Sequence, residues 1–185
     1  MTDKATNLIW FDMEMTGLDP FIEHILEFSI VPTDRNLNVL NEGVTFAIHQ
    51  PDQILNNMDD WNTNQHTKSG LLEKCRNSTL SLESSVTAAI SYIQEYSNHK
   101  GSPICGNTVS HDRIFLRRLA PALHESFHYR IIDVSTVKEL THRWYPELPS
   151  YKKGETHLSL DDVYESINEL KYYRENVLKP QKASP

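Results

Sequence analysis

The chain has 185 residues, with 18 Lys and Arg against 25 Asp and Glu and a formal net charge of −7; its pI is near 5.7. That length suits one domain in the usual ~100–200 residue range, able to bury roughly 70% of its unfolded surface without disulfides or structural zinc. No run approaches the ~18 apolar residues of a membrane span and no secretory signal pattern opens the chain, so a soluble cytoplasmic protein with no membrane partner is expected. Cys75 and Cys105 lie in no C-x-x-C context and read as reduced thiols. Proteins that track long nucleic acids usually carry a broad basic face. Here the basic residues are scattered, with one small cluster at Arg113, Arg117 and Arg118. A nucleic-acid partner, if there is one, should be short or held locally.

In chain order, residues 1–7 are expected to be a frayed leader, 8–178 a single domain, and 179–185 a frayed tail. Leu8 to Met15 is apolar on both faces until its carboxylates appear, the pattern of a central strand covered on both sides. Glu23 to Thr33 and Leu37 to His49 read as two more strands, with turn residues at Thr33 to Asn36, which suggests an antiparallel meander. Ser81 to Tyr96 places Leu82, Val86, Ala89, Ile90 and Ile93 at helical spacing. Pro103 to Cys105 reads as a short strand closed by Gly106, Asp112 to Leu119 as a helix, and Tyr129 to Val134 as a strand. Ser135 to Trp144 reads as a helix ended by Pro146 and Pro149, and Leu160 to Leu178 as the last long helix. The order predicts an α/β fold with a mixed sheet flanked by helices, its later strands parallel to the first.

Asp12 and Glu14 stand out within the first strand. Residues i and i+2 of a strand project to one face, ~6.6 Å apart along the chain. Two like charges side by side at the end of a core strand resist burial, and a fold tolerates them when a cation sits between them. Asp112 falls on the apolar face of its own helix, with Phe115, Leu116 and Leu119 at i+3, i+4 and i+7. Alone, it is equally read as a helix-start carboxylate bonding backbone N–H groups, or as a partner of Arg113 or another arginine. Asp162 lies on the edge of the stripe formed by Val163, Ile167, Leu170, Tyr173 and Val177. It also fits a capping box with Ser159 as N-cap. His157 alone is an unremarkable histidine.

Together these residues form an ordered set: Asp-x-Glu on a first strand, Asp on a middle helix, and His-x4-Asp at a last helix. The set resembles the DEDDh exonucleases of the ribonuclease H-like fold. Longer words narrow the resemblance to the oligoribonuclease family. They are Trp10 to Leu18, Met58-Asp59-Asp60-Trp61-Asn62, His66 to Leu71, Cys105-Gly106-Asn107, and Phe127-His128-Tyr129-Arg130 through Asp133 to Thr136. The likeness runs from about Leu8 to Val177. It implies a five-stranded mixed sheet and a 3′-to-5′ exoribonuclease that degrades very short RNA, dinucleotides especially, to 5′-mononucleotides. It also implies two divalent ions, Mg²⁺ or Mn²⁺, held by Asp12, Glu14, Asp112 and Asp162, with His157 as general base. Asp12 would bridge both ions, Glu14 and Asp162 would hold the ion that activates water, and Asp112 would serve the second.

The resemblance also implies the substrate side. Leu18 would wedge between two bases and Trp61 would stack on one; plain core packing is the competing reading of both. Thr108, Arg130, Ser135 and Thr136 would cap the terminal 5′ phosphate, with His66 as a further phosphate contact. Tyr129 and Arg130 would reach into the partner's site in a homodimer, although Tyr129 also reads as an ordinary strand aromatic. Thr108 stands where serine is common, and Ser110-His111 where Gly-Gln is common in bacterial members. A proofreading-type 3′-to-5′ exonuclease acting on longer single-stranded DNA would use the same carboxylates. A non-catalytic nucleotide-binding module would be expected to have lost at least one of them.

Overall fold

The computed structural model describes residues 3–152, 154 and 158–178. His157 and the tail from Lys179 to Pro185 lie outside the described residues. A five-stranded sheet is built from β1 (Leu8–Met15), β2 (Ile25–Thr33), β3 (Val44–Ala47), β4 (Ile104–Gly106) and β5 (Ile131–Asp133), in the order β3-β2-β1-β4-β5. The first three strands pair antiparallel, and β4 and β5 continue parallel to β1. The first strand is therefore the central one, as its two-sided apolar pattern predicts.

The helices are α1 (Asp52–Leu55), α2 (Asp60–Lys68), α3 (Leu71–Asn77), α4 (Leu82–Tyr96), α5 (Val109–Leu119), α6 (Pro121–His124), α7 (Val134–Trp144) and α8 (Ser159–Asn176). They cover both faces of the sheet. Strand alternation divides β1 between two cores. Ile9, Phe11 and Met13 pack with Val86, Ala89 and Ile93 of α4 and with Phe115 and Leu116 of α5. Trp10 packs on the other face with Val134 of α7 and Val163, Ile167 and Tyr173 of α8. By the same alternation Asp12 and Glu14 share the face of Trp10, the one α8 covers.

The third strand is shorter than its pattern suggests. Leu37 to His49 is predicted as one strand, yet only Val44–Ala47 is regular. Asp34 takes the amides of Asn36 and Asn38 with its carboxylate at 2.8 and 2.9 Å, Leu37 has φ 69°, and Gly43 has φ 92°. This local turn chemistry competes with the ladder and leaves a single bridge, Thr33 to Val39, before β3 begins. The capping box that competed as a reading of Asp162 is not formed at Ser159. Ser159 is the first residue of α8, the N-cap is Leu158, and no side chain caps that end.

Candidate active site

Three carboxylates converge where β1 meets the start of α8. Asp12, Glu14 and Asp162 each bring an oxygen within 4.8 Å of the others, and all three side chains are half-buried. Two come from the C-terminal half of the central strand, where the β1–β2 register breaks between Glu14 and Met15. Such irregularities re-aim side chains at the ends of strands. The third comes from the first turn of α8, where the positive end of the helix dipole favours an anion.

Asp112 approaches from the opposite side. It is buried at 7% exposure in the first turn of α5. The short β4 pairs only with Ile9 and Trp10 of β1, which leaves the Met13 amide without a strand partner. Asp112 Oδ1 accepts that N–H at 3.2 Å, so its carboxyl sits beside the strand between Asp12 and Glu14. Neither local reading from the sequence describes this bond: it crosses to another element and uses no arginine. The close packing of β4 on β1 requires Gly106, where a Cβ would lie 2.6 Å from the Phe11 carbonyl.

Crowding of anions has its expected consequence. Burial raises the Glu14 carboxyl to about 8, and the charges of Asp162, Glu27 and Asp112 push it further in the same direction. Burial likewise raises Asp112 to about 7, against the hydrogen bonds from its own amide and that of Met13. A donor set made only of carboxylate oxygens suits a hard divalent cation, not a thiolate-seeking metal. A cation there would remove the repulsion that these shifts express.

Leu18 lies three residues beyond β1, and Trp61 lies on α2. Leu18 is 77% and Trp61 70% exposed, which excludes core packing for both. The loop after β1 is fixed from within: Asp19 accepts the Phe21 amide at 2.8 Å, and Arg118 donates to the Pro20 carbonyl at 2.6 Å. Asp59 caps α2 by accepting the Asn62 amide at 2.8 Å and its side-chain amide at 2.9 Å. Much of the Met-Asp-Asp-Trp-Asn word is thus helix-start chemistry, with Trp61 left to face outward. His66 is buried, and its Nε2 donates to the Met15 carbonyl at 2.9 Å. Burial lowers its pKa, so a neutral ring ties α2 to the end of β1. In that tautomer the other ring nitrogen is an acceptor, so a contact with phosphate oxygens would require the ring to be protonated.

At the C-terminal ends of β4 and β5 the next group assembles. The Thr108 amide donates to Asp133 Oδ1 and to Ser135 Oγ, both at 2.9 Å, and the Thr108 and Ser135 hydroxyls meet at 3.0 Å. Thr108 has φ 52° and holds the N-cap position of α5 without a side-chain cap, so a strained backbone residue carries this hydroxyl. Thr136 follows, exposed, in the first turn of α7. The Arg130 guanidinium lies 5.4 Å from the centroid of the Tyr129 ring, and Tyr129 is 73% exposed. Because β1, β4 and β5 are parallel, Thr108, Ser135 and Thr136 share one end of the sheet with the carboxylates, the usual ligand edge of such layers, whereas Tyr129 and Arg130 precede β5 at its other end. One residue of this region has no place in the sequence reading. Glu27, directly opposite Glu14 across the β1–β2 ladder, is buried. A lone acid within the apolar run Ile25-Leu26-Glu27-Phe28 was its signal.

A mixed sheet of this order, flanked by helices and with carboxylates at the end of its first strand, is consistent with the ribonuclease H-like fold. The exonuclease family model matches residues 9–170. Solved exonuclease I structures align with it. One, whose structure suggests how processivity is achieved, gives a TM-score of 0.68 at 18% identity. Another, the zinc-bound Escherichia coli enzyme with single-stranded DNA, gives 0.71 at 16%. At such identities the likeness is one of fold, and the chain spans 41% of their length while 92–93% of it is covered. The oligoribonuclease of Vibrio parahaemolyticus is 53% identical over 180 residues, 97% of this chain and 99% of that one. Those of Pseudomonas syringae pv. tomato and Pseudomonas aeruginosa are 52% and 50% identical over 174 residues, 94% of this chain and 97% of theirs. The chain belongs to the oligoribonuclease family of exonucleases.

Proposed function

We propose that this chain is a 3′-to-5′ exoribonuclease that hydrolyses very short oligoribonucleotides, dinucleotides above all, to 5′-mononucleotides. The observation that carries the reading is the meeting of Asp12, Glu14 and Asp162 within 4.8 Å. Family membership supports the substrate class. Asp12, Glu14, Asp112 and Asp162 would hold two divalent ions, Mg²⁺ or Mn²⁺. When bound, such a pair supplies clamping of the attacking and leaving oxygens and activation of water.

The chain's own residues do the rest. His157, two residues before α8, would take the proton from the attacking water as neutral imidazole, which predicts a rate rising through roughly pH 6–8 at saturating metal. Leu18 and Trp61 present apolar and aromatic surface to the bases without reading their identity. Thr108, Arg130, Ser135 and Thr136, with His66, would close on the 5′ phosphate and so exclude longer chains. The net charge of −7 agrees with a substrate bearing few phosphates. Residues 8–178 would act as one exonuclease domain in the cytoplasm. Two copies would pair with Tyr129 and Arg130 crossing to the other's site; the exposure of Tyr129 supports that role.

A 5′-phosphorylated RNA dinucleotide, a 20-mer RNA and a 20-mer DNA, each with Mg²⁺ or Mn²⁺ and with chelator, test the reading. Metal-dependent conversion of the dinucleotide, much faster than attack on either 20-mer, is expected. Equal rates on all three would remove the length selection and favour a general single-strand exonuclease.

A further inference from the structure

We propose that Glu27 is a positioning residue for the metal site, and that it acts by fixing the first turn of α8. The inference rests on the reading of Asp12, Glu14 and Asp162 as metal ligands.

Glu27 is out of place as a structural residue. It lies in a strand whose nine residues are all buried, and it is 1% exposed. It faces Glu14 directly across the ladder, a like-charge pairing that destabilises a sheet. Its Oε2 has no hydrogen-bond partner among the described residues; the nearest cation, Lys74 Nζ on α3, is 3.5 Å away and half-exposed. Replacing a buried acid paired with a half-exposed amine by an apolar residue of similar size is often neutral or stabilising.

What Glu27 does hold is Ser159. The Ser159 hydroxyl donates to Glu27 Oε1 at 2.7 Å. A hydroxyl has one proton, so the 2.7 Å bond between Ser29 and Ser159 must be donated by Ser29. The 2.8 Å bond between Ser29 and Thr45 is then donated by Thr45. One directed chain results, Thr45 to Ser29 to Ser159 to Glu27, running from β3 through β2 to the start of α8 and ending on the carboxylate. Ser159 is fully buried, and Leu158 gives α8 no side-chain cap. Among the described residues this chain is a polar attachment of that helix end to the sheet. Asp162 follows Ser159 by three residues, within one rigid turn. Ser29 sits directly opposite Asp12, as Glu27 sits opposite Glu14. The two β2 residues that grip α8 are thus the ladder neighbours of the two β1 ligands, so the grip sets the spacing of all three carboxylates.

Mn²⁺ binding to the full chain, measured by calorimetry well below the melting midpoint of each variant, tests this. Ser159→Ala removes the hydroxyl and keeps every carboxylate, so a pure charge effect of Glu27 would leave it unchanged. Partners that orient metal ligands typically contribute about 10–100-fold to affinity. A loss in that range is expected for Ser159→Ala and for Glu27→Ala, with the double variant no worse than either alone. Glu27→Gln keeps an acceptor for Ser159 and should recover most of the loss. Ser159→Ala binding Mn²⁺ as the parent does, or additive losses in the double variant, would overturn the inference. Should Glu27→Ala fail to fold, Ser159→Ala decides alone. Asp12→Ala serves as reference: if it too binds normally, the metal reading fails, whereas loss there with normal binding in Ser159→Ala defeats only the positioning role.

Discussion

At the scale of single residues, the site trades stability for chemistry, and two groups of side chains show it differently. Leu18 and Trp61 hold exposed apolar surface that the fold does not use. Replacing either with alanine should leave the melting temperature nearly unchanged, as surface substitutions usually do. Substrate binding should weaken by about 1–3 kcal/mol for Trp61→Ala, the usual worth of an aromatic–base stack; a raised KM against an unchanged melting curve is the readout. Glu14 and Asp112 show the trade in charge. Each carboxyl is raised in the folded chain, from 4.5 to about 8 and from 3.8 to about 7. A raised carboxyl pKa means that the folded state binds the extra proton. Its stabilising contribution is fully present below about pH 4 and is lost as pH rises toward 8. Chelated protein should therefore lose stability across pH 5–8 through these two groups. The gain in melting temperature on adding Mg²⁺ or Mn²⁺ should grow over the same window, because a cation and a proton compete for the same oxygens. A Glu14→Gln variant should flatten that trend, gain stability without metal at neutral pH, and lose activity.

At the scale of elements, the clearest sequence signals came from apolar periodicity, and the misses came where polar chemistry builds the element. The stripe Leu82, Val86, Ala89, Ile90 and Ile93 predicts α4 within one residue of Leu82–Tyr96. Helix α2 has no such stripe: its buried residues are Asn62 and His66, and it is held by the Asp59 cap and the bond from His66 to Met15. A pattern search for apolar spacing passes over it. Helix α3 is only seven residues long, too short for periodicity to separate it from a loop. The pairing of Asp12 with Glu14 was legible because i and i+2 on a strand must share a face. Their meeting with Asp162 was legible only through the resemblance, since nothing local says that α8 returns to β1. Glu27 was missed because its role depends on Ser159, 132 positions away. Ser81 gives a control at this scale. It caps α4 by accepting the Ser84 amide, so Ser81→Ala should cost about 1 kcal/mol in denaturant midpoint and leave dinucleotide hydrolysis unchanged.

At the scale of the whole molecule, the strand order decides the function. By taking the centre of the sheet, β1 receives α8 from the end of the chain on one face and α5 from its middle on the other. Carboxylates spread over 150 positions thereby meet at one sheet edge, beside the hydroxyls that follow β4 and β5. The same edge carries the proposed length limit, so loss of the phosphate cap and loss of metal should have different signatures. Arg130→Ala should slow the dinucleotide more than the 20-mer RNA and narrow the difference between them. Loss of a ligand should slow both alike. The central claim is that carboxylates from both ends and the middle of the chain form one metal-dependent hydrolytic site. Its most direct measurement is hydrolysis of a 5′-phosphorylated RNA dinucleotide at saturating Mg²⁺ by the parent chain and by Asp112→Ala, with folding of the variant checked by its melting curve. A folded variant slowed at least about 100-fold, in line with losing a preorganised charge at a reacting centre, is the result predicted. A folded Asp112→Ala variant with the parent's rate would contradict it.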